Sequence, residues 1–287
     1  MNNAKSWQGN SMLLIAAAVW GGGFVAQRMG LDHVGPFTYN ACRFPVGALC
    51  LLAYHILIHR RQVKTPVPVH SLIKPVLICG SCMFMGASFQ QYGLKYTTAS
   101  NAGFVTGLYV IFVPLIGILL GHKNGVSVWL GCILAVSGMY LLSVSESMTI
   151  NLGDALVFIS ALFWSFHVLS IGHFASRIDP IRFAIGQLVV CTLGSGIVAA
   201  LTEPITWPSI QLASGAIIYG GVFSVGLGFT LQVFGQRNAT PAAAAIILSL
   251  ESVFAALFGV LFLHEVLSPR ALTGCALMLS GMIFAQL

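Results

Sequence analysis

Gly131-Cys132-Ile133-Leu134-Ala135-Val136-Ser137-Gly138-Met139 returns later in the chain as Gly274-Cys275-Ala276-Leu277-Met278-Leu279-Ser280-Gly281-Met282, identical at six of nine positions and offset by 143. The echo spreads outward from that nonapeptide. Gly9, Trp20 and Pro36 recur as Gly153, Trp164 and Pro180 at an offset of 144. Gly86, Gln90, Gly93 and Thr98 recur as Gly228, Gln232, Gly235 and Thr240 at 142. Offsets that drift by one or two residues across a whole half mark a duplicated unit. The period is far too long for a solenoid repeat, and both copies are apolar.

Composition sets the class. Hydrophobic residues form 57% of the chain and charged ones 7%, against roughly 25% charged in a soluble domain. So few charges cannot clothe a soluble surface, and the chain reads as an all-α polytopic membrane protein. About 20 apolar residues are needed to cross the hydrocarbon, and ten such stretches can be marked: 11–30, 36–58, 73–94, 98–121, 126–144, 153–173, 181–201, 210–234, 240–263 and 268–286. The first is longer than a signal-peptide core and is expected to be a retained helix. No soluble domain fits between the spans. The seven cysteines lie in apolar segments as small hydrophobes rather than as a disulfide framework. The formal charge of +6 does not point to nucleic acid, because the basic residues sit in short loops, where they set topology.

Ten spans place both termini on one side. With cytosolic termini the inner loops carry Lys5, Arg60, Arg61, Lys64, Lys74, Lys123, Arg177, Arg182 and Arg237, against Arg28, Lys95 and Arg270 outside. That bias supports cytosolic ends. Each half, 1–147 and 148–287, then holds five spans and the second enters from the opposite side. The expected architecture is ten transmembrane helices in two inverted five-helix repeats, the signature of a transporter with one central site and two gates.

Polar groups within a bilayer need a partner or an aqueous cavity. The intramembrane set is Gln27, Arg43, Gln90, Gln91, Asn101, Tyr109, His167, Gln187, Gln232 and Glu251. Glu251 is the carboxylate farthest from any interface; it is either a substrate or proton-coupling group or a structural contact. Arg43 is expected to snorkel or to bond helix-end carbonyls, with a clamp on a substrate carboxylate as the alternative. Gln90 and Gln232 are each flanked by glycine at i−4 and i+3 on one helix face, placing them at a close helix contact or a cavity wall. Trp20, Phe24 and Gln27 form one stripe at i, i+4, i+7, and Ser160, Trp164 and His167 a similar one. Tryptophans so far from the interfacial belt are either core residues or the wall of a cavity. His167 is read as a proton carrier or a hydrogen-bonded core histidine, and Trp20, Gln27, Gln90, Tyr109, Trp164, His167, Gln232 and Glu251 are the candidate lining of a substrate cavity. Cys79-Gly80-Ser81-Cys82 lies inside an apolar span and reads as small residues at a helix contact, with thiol–quinone redox chemistry the rival. A non-transporting scaffold is a second rival. The chain has no Walker motif, G-x-S-x-G or H-E-x-x-H, so neither catalysis nor a cofactor or metal is expected.

Several stretches resemble the EamA family of the drug/metabolite transporter superfamily. They are Ala17 to Phe24, Pro36 to Phe44, Gly93 to Ala102, and Leu250 to Gly259 closing on His264-Glu265. The family pattern differs where Ser252 stands for proline and His264 for glycine. The resemblance implies a bacterial-type inner-membrane protein with a central cavity lined mainly by helices 1, 3, 4, 6, 8 and 9. It also implies export of a small metabolite such as an amino acid or related compound. It leaves the substrate, coupling ion and oligomeric state open.

Overall fold

Residues 3–59, 68–97, 99–143, 152–263 and 268–285 are described by the computed structural model. His264 and Glu265, Arg60, Arg61, Lys64 and Glu146 lie outside the described residues, as does the side chain of Asn101. Every element among them is helical: α1 (Asn3–Leu31), α2 (Pro36–Tyr54, with a wide turn over His55–His59), α3 (Val69–Gly93), α4 (Ala99–Gly107), α5 (Tyr109–Leu119), α6 (Val126–Ser143) and α7 (Leu152–Phe174). There follow α8 (Pro180–Thr202), α9 (Trp207–Leu212), α10 (Ser214–Tyr219), a π-helical stretch Gly220–Gly228, α11 (Phe229–Gln236), α12 (Pro241–Leu248), α13 (Glu251–Leu263) and α14 (Pro269–Phe284). Apolar residues face outward in number, Leu49, Leu193, Leu201 and Ile283 among them, as expected of a protein whose solvent is lipid.

Of the ten stretches marked from the sequence, eight are long and apolar enough to cross a membrane. The remaining two, Val126–Leu141 and Pro269–Phe284, are shorter and carry the duplicated nonapeptide. At 1.5 Å per residue a 16-residue helix spans about 24 Å. The expectation of uninterrupted spans also needs correction. The stretch 98–121 breaks at Leu108, 240–263 breaks at Ser249-Leu250, and 210–234 falls into several pieces.

The two copies of the nonapeptide pack on each other. α6 and α14 run antiparallel, Gly131 facing Gly281 and Gly138 facing Gly274. A Cβ on Gly131 would lie 2.8 Å from the Gly281 carbonyl, and one on Gly281 2.7 Å from that of Gly131. Glycine therefore sets this separation, as at close helix contacts in bilayers generally. Cys132 has its own task here. Pro114 in α5 has no N–H, which frees the carbonyl of Val110, and the Cys132 thiol donates to it at 3.3 Å.

Similar crosswise contacts recur at the helix ends. α1 meets α11 at Gly9 and Gly235, and α3 meets α7 at Gly93 and Gly153. α2 and α8 are joined by the Glu203 carboxylate just past the end of α8. It accepts from Phe37 N at 2.9 Å, Thr38 N at 2.7 Å and the Thr38 hydroxyl at 2.7 Å. Gly35, the residue before α2, offers no side-chain cap, so an acid from the other half of the chain satisfies the exposed N–H groups.

Candidate functional site

Two of the interrupted spans, 98–121 and 240–263, meet at the centre of the molecule. At Leu108 and Leu250 the backbone N–H turns to the carbonyl three residues back, Val105 and Ile247, each at 3.2 Å. These breaks are equivalent at the offset of 142. They make Tyr109 and Glu251 the first residues of α5 and α13, and the Tyr109 hydroxyl donates to Glu251 Oε1 at 3.4 Å. The same offset that relates Gln90 to Gln232 relates this pair.

Around it lies a cavity of about 50 Å³ lined by Trp20, Phe24, Gln27, Arg43, Gln90, Thr106, Tyr109, Trp164, Val168, Ser224, Phe229, Gln232, Leu248 and Glu251. A water occupies about 30 Å³ in the liquid, so the space admits one or two. Ten of the fourteen lining residues form five repeat-equivalent pairs: Trp20 with Trp164, Phe24 with Val168, Gln90 with Gln232, Thr106 with Leu248, and Tyr109 with Glu251. Applied to whole helix faces rather than to single motifs, the offset would have found Thr106, Val168 and Leu248 from the sequence. Phe229 had no such signal, since Ala87 stands at the equivalent place. Its ring sits between the two tryptophans, 4.9 Å from Trp20 and 5.8 Å from Trp164, stacked on the latter.

One wall is a polar chain. Trp164 Nε1 donates to Gln90 Oε1 at 2.8 Å, Gln90 Nε2 donates to Gln27 Oε1 at 3.1 Å, and Gln27 Nε2 donates to the Gly23 carbonyl at 3.2 Å. Gln91 Nε2 donates to the Gln27 carbonyl at 3.3 Å, away from the cavity. On the opposite wall Trp20 Nε1 donates to the Ser224 carbonyl at 2.9 Å. There Gln232 Oε1 is buried with no hydrogen-bond partner among the described residues.

Arg43 corrects an expectation. It does not snorkel: it is buried and faces the cavity. Its Nε donates to Asn40 Oδ1 at 2.9 Å, and its guanidinium lies 5.2 Å from the Tyr39 ring centre and 5.0 Å from that of Phe44. Asn40 and the aromatic rings hold the side chain inward, which overrides the reach of a long side chain for water. His167 is corrected in the other direction. It does not line the cavity but lies behind it, 5.6 Å from Trp164 and 6.0 Å from Phe229. Its Nε2 donates to Gln187 Oε1 at 2.8 Å, while Gln187 Nε2 is engaged by the Phe183 carbonyl. Among the described residues neither Arg43 nor Glu251 has an ion-pair partner. Cys79 and Cys82 are free thiols on α3, beside Gly80, which packs on Val190 of α8.

A family model described as the EamA-like transporter family matches residues 7–144 and again 151–286. An Archaeoglobus fulgidus protein named an uncharacterized transporter is 31% identical over 96% of this chain and 84% of its own. The uncharacterized transporter YwfM of Bacillus subtilis is 25% identical over 94% and 91%. The WAT1-related chloroplastic protein At3g02690 of Arabidopsis thaliana is 23% identical over 91% of this chain and 65% of its own. One solved crystal structure aligns with 100% of this chain and 99% of its own at a TM-score of 0.81 and 20% identity, a likeness of fold. The chain belongs to the EamA-like transporter family, a family of multi-pass membrane proteins.

Proposed function

We propose that this chain, as a member of the EamA-like transporter family, is a secondary-active exporter of a small metabolite such as an amino acid or related compound. The observation that carries the reading is the pair of ionisable groups, one basic and one acidic, in one cavity. Arg43 and Glu251 face the same cavity, and among the described residues neither has an ion-pair partner. A buried charge without a partner is costly, and a substrate bearing both a carboxylate and an ammonium would complement the two at once. Phe229 and the tryptophans offer an apolar surface for the rest of such a molecule.

Ten helices arranged as two inverted five-helix repeats, residues 1–147 and 148–287, are the architecture this function needs. The support is the paired lining of the cavity and the crosswise glycine contacts. Such symmetry lets one chain open to either side of a fixed site. Ligand sites usually measure about 300 Å³ or more, so a cavity of about 50 Å³ has to widen on loading. The proposed setting is a bacterial inner membrane with both termini in the cytosol. Reporter fusions after His59 and Arg177 are expected to read cytosolic and a fusion after Glu203 periplasmic; a reversal would break the inverted arrangement.

The deciding experiment is a metabolite profile of the medium from cells with and without the protein, repeated with Glu251→Gln. The wild type is expected to raise one or a few small amphoteric compounds. Glu251→Gln should insert normally, export at least tenfold less, and show a flatter dependence of the residual flux on pH. Wild-type export by this variant between pH 6 and 8 would reduce Glu251 to a structural partner of Tyr109. No observation among the described residues favours redox chemistry at Cys79 and Cys82.

A further inference from the structure

The two tryptophan corners of the cavity have equivalent sequences but different hydrogen bonds. In one, Trp164 lies over Gly86, where a Cβ would come within 3.0 Å of its ring, and its indole N–H bonds the amide of Gln90 one turn further on. In the other, Trp20 lies over Gly228 so closely that a Cβ there would overlap indole Nε1. Gln232 again stands one turn further on, yet the indole N–H is given to the Ser224 carbonyl, one turn before the glycine.

The amide left out is strained by its own burial. Gln232 is 1% exposed, lines the cavity, and its Oε1 has no partner among the described residues. A buried acceptor in that condition is destabilising, and proteins seldom keep one without use for it. Helix side chains lean towards the N-terminus, so the Gln232 amide leans towards Gly228, where Trp20 Nε1 already sits. Trp20, Ser224 and Gln232 all line the same cavity.

We infer that Trp20–Gln232 and Trp164–Gln90 are alternating latches, one made and the other broken in each of the two oppositely facing states. This rests on the alternating-access reading above, in which inverted repeats exchange conformations between states. The present structure has the Trp164–Gln90 latch closed. In the other state Trp20 releases Ser224 and takes Gln232, while Trp164 releases Gln90. The Ser224 carbonyl that Trp20 uses lies in the π-helical stretch Gly220–Gly228, whereas the equivalent residues 78–86 are regular helix within α3. Phe229, packed against both indoles, couples the two movements.

The test uses full-length protein carrying 5-fluorotryptophan in lipid nanodiscs, with the Trp20 and Trp164 fluorine signals assigned by Trp20→Phe and Trp164→Phe. A buried hydrogen bond contributes about fivefold to a population ratio. Gln90→Met is therefore expected to move the state ratio about fivefold towards the Trp20–Gln232 form, and Gln232→Met about fivefold the other way. Gln90→Asn and Gln232→Asn, which keep an amide but shorten its reach, should move the ratio in the same two directions and serve if a methionine variant inserts poorly. Shifts of both sites in one direction would overturn the exchange. So would a Trp20 signal indifferent to both Gln232 variants. Flux measured on the same variants bears on the transport reading separately: opposite population shifts without any export would remove the transporter and leave the exchange standing.

Discussion

Helix α3 is a single 25-residue helix, while its repeat-equivalent stretch, residues 211–235, runs from the end of α9 through α10, a π-helical segment and α11. Both carry glycine, three residues, glutamine, two residues, glycine, at Gly86-Gln90-Gly93 and Gly228-Gln232-Gly235. The same local pattern therefore sits on two different backbones. Two causes can be named. Residues 78–86 contain two glycines and residues 220–228 contain four, and each glycine weakens a regular helix by up to about 1 kcal/mol relative to alanine. The neighbours also differ. α3 meets α8 through Gly80 against the Val190 side chain, whereas Gly221 is pressed on Val46 and on the Arg43 carbonyl, and Gly47 approaches Gly226 N to 3.0 Å from its would-be Cβ. Such close backbone approach to α2 accommodates a wide turn that α3 has no reason to make. The comparison teaches that a duplicated sequence can hold its polar groups in equivalent places while one copy keeps conformational slack.

The largest expected effect separates the two glycines under the tryptophans. Gly228→Val places a side chain on the Trp20 indole nitrogen and should destabilise by about 3 kcal/mol, near the upper end for overpacking, with export lost. Gly86→Val meets the Trp164 ring at a less intimate distance and should cost about 1 kcal/mol and leave measurable flux. Thermal melts in detergent alongside flux would check this. Equal losses at the two sites would mean that the corners do not differ in closeness.

An intermediate effect separates the two glutamines. Gln90→Met removes the acceptor of Trp164 and a donor to Gln27, and should lower stability by about 1–3 kcal/mol. Gln232→Met removes an amide oxygen that has no partner among the described residues, so its stability should change by less than about 0.5 kcal/mol or rise. The sign of the difference between the two melting temperatures is the measurement. A larger loss at Gln232 would show that its amide is engaged after all.

The smallest effect belongs to α3 alone. Replacing Cys79 and Cys82 together by alanine removes two thiols beside the α3–α8 contact and should leave export within about twofold of wild type, since thiols buried in apolar surroundings behave as small hydrophobes. Export abolished despite normal insertion would restore the redox rival.

Much of this protein was written in its sequence, because a bilayer allows few solutions. Scarcity of charge and the run of apolar stretches determined a multi-pass helical protein, since backbone polar groups in hydrocarbon must bond within their own segment. The doubled nonapeptide marked the helices that became α6 and α14, and repeat offsets brought Trp20, Trp164, Gln90, Gln232 and, at 142, the Tyr109–Glu251 pair to equivalent places. Periodicity could not tell a cavity wall from a buried contact, however, because both faces of such a helix are apolar. Only tertiary structure turned Arg43 inward, where it bonds Asn40, whose amide in turn donates to the Ala87 carbonyl of α3. It also put His167 behind the cavity rather than in it, and set Phe229 between two tryptophans with no sequence signal to announce it. The unequal hydrogen bonding of Trp20 and Trp164 was likewise beyond the sequence. It depends on which carbonyl or amide a ring can reach, and that is decided by how the helices of the two halves approach each other.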